Sequence, residues 1–152
     1  MAKISINFFA EETAFSPKSK KSLRNWISNT ITQEKHQLQE LNFIFCSDDY
    51  LLKINQEYLK HDTYTDIITF DNSEEKGMIA GDIFISIDSV KENAKTFKTT
   101  FQDELHRVMI HGTLHLLGYP DKKKEEKALM TEKENQYLST LFLEKEGSEL
   151  IG

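Results

Sequence analysis

Polar and apolar positions alternate at the start of the chain, with Ile4, Ile6 and Phe8 set against Lys3, Ser5 and Asn7. That period of two predicts a half-buried strand. Ser16 and Pro17 then supply an N-cap and a first-turn proline, after which Leu23, Trp26, Ile27 and Ile31 recur at helical spacing. Leu41 to Cys46 reads as a short strand, and Ser47-Asp48 caps a helix carrying Leu51, Ile54, Asn55 and Tyr58. Two more strands, Thr65 to Phe70 and Gly81 to Ile87, flank a polar turn from Asp71 to Gly77. Asp88 and Ser89 open a short helix with Val90, Ala94 and Phe97 on one side. Thr100 caps another, which runs to Gly118, a residue suited to the position just past a helix end. The last helix places Met130, Tyr137, Leu138 and Leu141 on one stripe.

Four strands and about five helices, with helices between and after the strands, predict an α+β domain built on one mixed sheet. Strands separated by helices favour parallel pairing, and the short link between the third and fourth allows an antiparallel pair. Neither a repeat nor a Pro/Gly-rich linker interrupts the chain, so residues 1–152 read as a single domain. A hydrophobic fraction of 38% over 152 residues is enough for a sizeable core.

The single cysteine, Cys46, cannot form an intrachain disulfide, which suits a reducing compartment. Neither a signal peptide nor a bilayer-spanning apolar run is visible, so a cytoplasmic protein without a membrane partner is expected. A net charge of -6 weighs against strong electrostatic binding of nucleic acid. Positive charge is nonetheless grouped at Lys18, Lys20, Lys21 and Arg24, at Lys91, Lys95 and Lys98, and at Lys122, Lys123 and Lys124. Each group also suits a plain solvated helix face.

The chemistry concentrates between Glu104 and Asp121. Residues four apart on a helix stand one turn above each other, so His111 and His115 can address one ion. A stripe of Phe101, Leu105, Val108, Gly112 and Leu116 faces the core and leaves both histidines on its flank, with Glu104 nearby. Gly118 can stop the helix and let Asp121 return a hard oxygen ligand. Two nitrogens and one oxygen leave a tetrahedral position open for water, the pattern of catalytic rather than structural zinc. Water in that position has its pKa lowered to about 7. The histidine pair alone is weak evidence, because with 5 histidines such a spacing arises by chance in roughly one such chain in eight. The glycine stop and the returning carboxylate give the pair its weight.

The run His111-Gly112-Thr113-Leu114-His115-Leu116-Leu117-Gly118-Tyr119 resembles the metal motif of the bacterial YbeY family. Leu52 to Tyr58, then His61-Asp62 and Thr65 to Phe70, are similar to that family's first strand motif, and Gly81 to Ser86 to its second. Met130 falls where the pattern has a methionine. The resemblance spans about residues 40 to 140. It implies a single-domain hydrolase with a zincin-like metal helix and one zinc ion per chain, acting on single-stranded RNA. It further implies ribosomal RNA maturation at the small-subunit 3′ end, ribosome quality control, and the ribosome or its small subunit as partner, with no DNA expected.

Three departures from the family pattern stand out. Pro120-Asp121 fill the place of an Asp-His pair, so the third ligand is a carboxylate, which makes bound water less acidic than an all-histidine site would. The arginine expected just after Tyr58 is replaced by Leu59-Lys60-His61, so either phosphate contact passes to Lys60 or His61, or the arginine's role is lost. The lysines at 122 to 124 can serve RNA or simply begin the last helix.

Arg107, one turn before His111, can reach phosphate, although a salt bridge with Asp103 or Glu104 is the simpler expectation. Metalloproteases with a His-Glu-x-x-His helix use the glutamate as general base. Gly112 occupies that position here and cannot accept a proton. Asp62, Asp66 and Asp82 are substitutes that equally suit caps and turns. The rival readings are a metallopeptidase-like hydrolase and a non-enzymatic ribosome assembly factor with a structural zinc.

Overall fold

Alternating burial decides which way each strand faces, and therefore where the helices sit. The computed structural model describes residues 5–60 and 65–151, with side chains described as far as Leu141. Its elements are β1 (Ser5–Glu11), α1 (Lys20–Gln33), β2 (Gln37–Cys46), α2 (Asp48–Tyr58), β3 (Ile67–Asp71), β4 (Met78–Ser86), α3 (Ile87–Thr96), α4 (Phe101–Leu116) and α5 (Lys124–Ile151). The sheet order is β1-β2-β4-β3. β1 pairs β2 and β2 pairs β4 in parallel, whereas β3 pairs β4 antiparallel. This is the mixed four-stranded sheet with five helices that the pattern predicts. Lys3 and Ile4 of the expected first strand lie outside the described residues.

One sheet face carries Leu41, Phe43, Phe45, Ile79, Ile83 and Ile85, all buried, and packs on α1 and α4. The opposite face holds a smaller cluster of Cys46, Leu51 and Ile68 beneath α2. Burial, together with the negative charges of Asp48 and Asp88, pushes the Cys46 thiol up to about 12, so it is no nucleophile. The long helix α5 lies across α1 and α4, where the Trp26 indole donates to the Tyr137 carbonyl at 2.6 Å in the interior.

Caps fix most helix starts. The side chains of Ser47, Ser86 and Thr100 accept from Tyr50, Ser89 and Asp103 backbone N–H groups and open α2, α3 and α4. Helix α1 differs from expectation: it starts at Lys20, with Ser19 in left-handed geometry (φ 58°) and no side-chain cap. The reason is tertiary. Pro17 is buried, and the Phe15 ring meets Phe45 and Phe101 edge-on at 5.1 and 5.6 Å, so this stretch is held in the core edge instead of the helix. Phe97, expected on the buried side of α3, is 66% exposed, because the helix ends at Thr96 and the chain turns there.

Gly112 sets how closely α4 approaches the sheet. A Cβ there would stand 2.9 Å from both Ile67 Cδ1 and Ile83 Cγ2, and the latter branches at the strand backbone and cannot swing away. The same residue leaves the flanking histidines at the edge of the packed seam. Gly112→Val should therefore lower unfolding stability by about 3 kcal/mol, near the top of the usual overpacking range. Urea unfolding followed by circular dichroism would show it as a lower midpoint, and an unchanged midpoint would refute the close approach.

Candidate metal centre

Helix α4 carries the site, and its end shapes the rest. The Tyr119 N–H bonds to the Leu114 carbonyl and the Gly118 N–H to the His115 carbonyl, both at 3.0 Å. With Gly118 at φ 102°, this is a Schellman stop, a conformation that glycine adopts at little cost. The chain then reverses through Pro120 and brings Asp121 back beside the helix it has just left.

His111, His115 and Asp121 meet there, as their spacing predicts. The Nε2 atoms of the two histidines are 3.0 Å apart, and Asp121 Oδ2 lies 3.2 Å from each. The two rings are nearly perpendicular, at 84°, so both edges point into one triangle. An ion bound tetrahedrally at 2.0–2.1 Å holds its ligands about 3.3–3.4 Å apart, so the triangle needs only a small expansion to accept one. The donor set, two imidazoles and a carboxylate, suits zinc, and all three side chains are half-buried. Residue types, distances and accessibility all fit a metal.

Glu134 of α5 is the site residue that sequence reasoning does not single out. Its side chain is only 8% exposed; one carboxylate oxygen lies 2.6 Å from His111 Nδ1, and the other accepts from Arg107 Nη1 at 2.8 Å. A signal exists, since position 134 falls on the buried stripe of Met130, Tyr137 and Leu141, where an acid is out of place. Burial disfavours a charged His111 ring, but the Glu134 hydrogen bond and the charges of Glu134, Asp121 and Asp66 outweigh it and hold the pKa above the ordinary value.

Arg107 is engaged by α5 rather than by Asp103 or Glu104: its second Nη donates to Asn135 Oδ1 at 2.8 Å. Both ends of the guanidinium are thus occupied, while the side chain stays 37% exposed and lines the cavity beside His111. Glu104 is buried beside it, and desolvation, aided by Asp66 and Glu134 and opposed by Arg107, raises its pKa. A cavity of about 120 Å³ adjoins His111, lined by Asp66, Ile67, Glu104, Arg107, Val108 and Glu134. Asp66 is therefore at the site. Asp82 is not: its neighbours Gly81 and Ile83 face α4, so alternation puts Asp82 on the far side of the sheet, bonded to Asn42 and Asn72. Lys60 is exposed at the end of α2 with φ 55°, and His61 and Asp62 lie outside the described residues. Lys122, Lys123 and Lys124 are exposed directly after Asp121, where Glu126 accepts from the Lys122 and Lys123 N–H groups at the start of α5.

Two helical histidines and a returning carboxylate, with His111 lining a cavity, define a class, that of α+β domains with a candidate metal site on one helix. The chain belongs to the endoribonuclease YbeY family, whose model matches residues 5–142. It is 53% identical over 139 residues to the endoribonuclease YbeY of Cytophaga hutchinsonii, covering 91% of this chain and 97% of that one. The Christiangramia forsetii protein of the same name is 47% identical over 144 residues, covering 95% and 99%. The solution structure of TM1509 from Thermotoga maritima superposes with a TM-score of 0.65 at 31% identity, over 94% and 93% of the two chains.

The turn that carries Asp121 is anchored at Tyr119, whose hydroxyl donates to Glu34 Oε1 at 2.5 Å, while Tyr137 and Lys133 of α5 donate to Glu34 Oε2. Burial tends to raise the Glu34 pKa, but the bonds from Tyr119, Tyr137 and Lys133 prevail and lower it. A carboxylate with a depressed folded value stabilises the protein above its unfolded value of about 4.3, and the stabilisation is lost as pH falls through the folded value. Glu34→Gln should therefore cost stability at pH 7, and the gap from wild type should close below about pH 4. Thermal melts of both proteins across that range check this; a gap that stays constant with pH would contradict it.

Proposed function

We propose that this chain is a zinc-dependent endoribonuclease that cuts single-stranded RNA and matures ribosomal RNA at the small-subunit 3′ end. The observation that carries the metal part is the donor triangle of His111, His115 and Asp121, with edges of 3.0–3.2 Å. The RNA part rests on family membership. The whole chain, 1–152, acts as one domain on this reading. Its setting is the cytoplasm, with ribosomal RNA and the ribosome or small subunit as partners, and contributions to ribosome quality control follow from them. No helix among the described residues is long and apolar enough to cross a membrane.

A zinc ion held by His111, His115 and Asp121 would supply Lewis acidity, lowering the pKa of a bound water and offsetting charge on a phosphoryl oxygen. The residues of the chain do the rest. His111 and His115 would hold the ion through Nε2 and Asp121 through a carboxylate oxygen. Of the acids that could stand in for the missing glutamate, Asp66 lines the cavity beside His111, and on this reading it would accept a proton from an attacking water or ribose hydroxyl. On this reading phosphate contact falls to Lys60 or His61 and to the exposed Lys122, Lys123 and Lys124, with Arg107 lining the cavity beside His111. Gly112 supports a nuclease over a His-Glu-x-x-His peptidase, because the close packing at that position leaves no room for the glutamate such a peptidase needs.

His115→Ala should abolish stoichiometric zinc and cleavage of single-stranded RNA while the domain stays folded, whereas Asp121→His should retain the metal. Metal analysis paired with an RNA-cleavage assay, with and without chelator, provides the check. Full activity in His115→Ala would end the catalytic-metal reading. Cleavage of peptides but not RNA would transfer it to a metallopeptidase, and zinc with four protein ligands would transfer it to an assembly factor.

A further inference from the structure

Glu134 occupies a position where helix periodicity calls for an apolar side chain, and it is buried with both oxygens committed to α4. Burying a carboxylate costs several kcal/mol unless charge and hydrogen bonds offset it, and replacing a buried ion pair with apolar residues is often neutral or stabilising. Fold stability alone therefore gives little reason for an acid at this place. Geometry gives a better one. A carboxylate can only accept, so the 2.6 Å contact requires His111 Nδ1 to carry a proton. In the neutral ring, the lone pair then lies on Nε2, the atom that points at His115 and Asp121.

We infer that Glu134 is a positioning residue: it locks His111 in the Nδ1–H tautomer and in the ring orientation that presents Nε2 to a metal. Arg107 holds the Glu134 carboxylate in place and balances its charge, and Asn135 fixes the far end of the guanidinium. The chain Asn135–Arg107–Glu134–His111 ties the start of the site to α5, so docking of that helix and readiness of the ligand become one event. Carboxylates behind metal-binding histidines act in this way, and their loss typically weakens metal affinity about 10- to 100-fold. This inference rests on the metal reading of the triangle for its consequence, although the tautomer itself does not.

The test compares wild type with Glu134→Leu, Glu134→Ala and Glu134→Gln by two readouts. Nitrogen-15 NMR of the metal-free proteins, at a pH where the ring is neutral, reports which His111 nitrogen is protonated. Competition against a chromophoric chelator gives the zinc Kd. Wild type should show Nδ1–H alone. Glu134→Leu and Glu134→Ala should show a mixture with Nε2–H and bind zinc about 10- to 100-fold more weakly, with the fold confirmed by urea unfolding. Glu134→Gln, which keeps one acceptor oxygen for the two donors His111 and Arg107, should fall between wild type and the apolar variants in both readouts. A folded Leu or Ala variant with an unchanged ring and unchanged Kd overturns the inference, and two apolar variants guard against one failing to fold. If wild type binds no zinc, the metal reading fails, while the tautomer comparison still decides whether Glu134 governs His111.

Discussion

The contact of α4 with β3 and β4 at Gly112 is the constraint on which the site depends. Because no side chain separates the helix from Ile67 and Ile83, α4 is seated at a fixed depth and a fixed rotation about its axis. Leu105, Val108 and Leu116 complete the buried side of that seam. Rotation decides everything for a helix that must show two histidines to solvent, since a turn of one residue, 100°, would bury or expose both rings. Close packing gives a stiffness that loops rarely have. The two imidazoles thus stand on a closely packed helix, at the margin of the core.

The third donor comes from a turn, and the structure compensates for a turn's mobility. The Schellman stop at Gly118 sets the direction in which the chain leaves α4. Glu34, at the end of α1, then gathers Tyr119, Lys133 and Tyr137 around one carboxylate, with the Lys133 ammonium 5.6 Å from the centre of the Tyr119 ring. Helices α1 and α5 are joined again by the buried bond from Trp26. Two polar networks therefore converge on α5. One steadies the turn that carries Asp121, and the other reaches His111 through Glu134.

Local rules make much of this legible in the sequence. The histidine spacing, the glycine stop and the returning Asp121 are all settled within eleven residues, and the pairing of β1 with β2 and of β3 with β4 follows from which connections contain helices, whereas the insertion of β4 between β2 and β3 does not. Distant partners are harder to read. Arg107 has acids at hand in Asp103 and Glu104, and nothing nearby reveals that Glu134 and Asn135, on another helix, take both of its ends. Glu134 itself breaks the apolar stripe of α5, but in a helix this rich in Glu and Lys one misplaced acid stands out only once its partner is known. The start of α1 escapes for a related reason: Ser16-Pro17 is a good local cap, and the packing of the half-buried Phe15 and the burial of Pro17 override it. Asp82 is the exception, since strand alternation alone assigns it to the far face.

The central claim is that one cation is shared by two imidazoles and one carboxylate, with a coordination place left for solvent. X-ray absorption spectroscopy of the zinc-loaded full chain tests it most directly. The account predicts a first shell of four nitrogen or oxygen scatterers at about 2.0–2.1 Å, with the outer-ring signature of two imidazoles. A sulfur scatterer near 2.3 Å, or a shell showing no more than one imidazole, would contradict it.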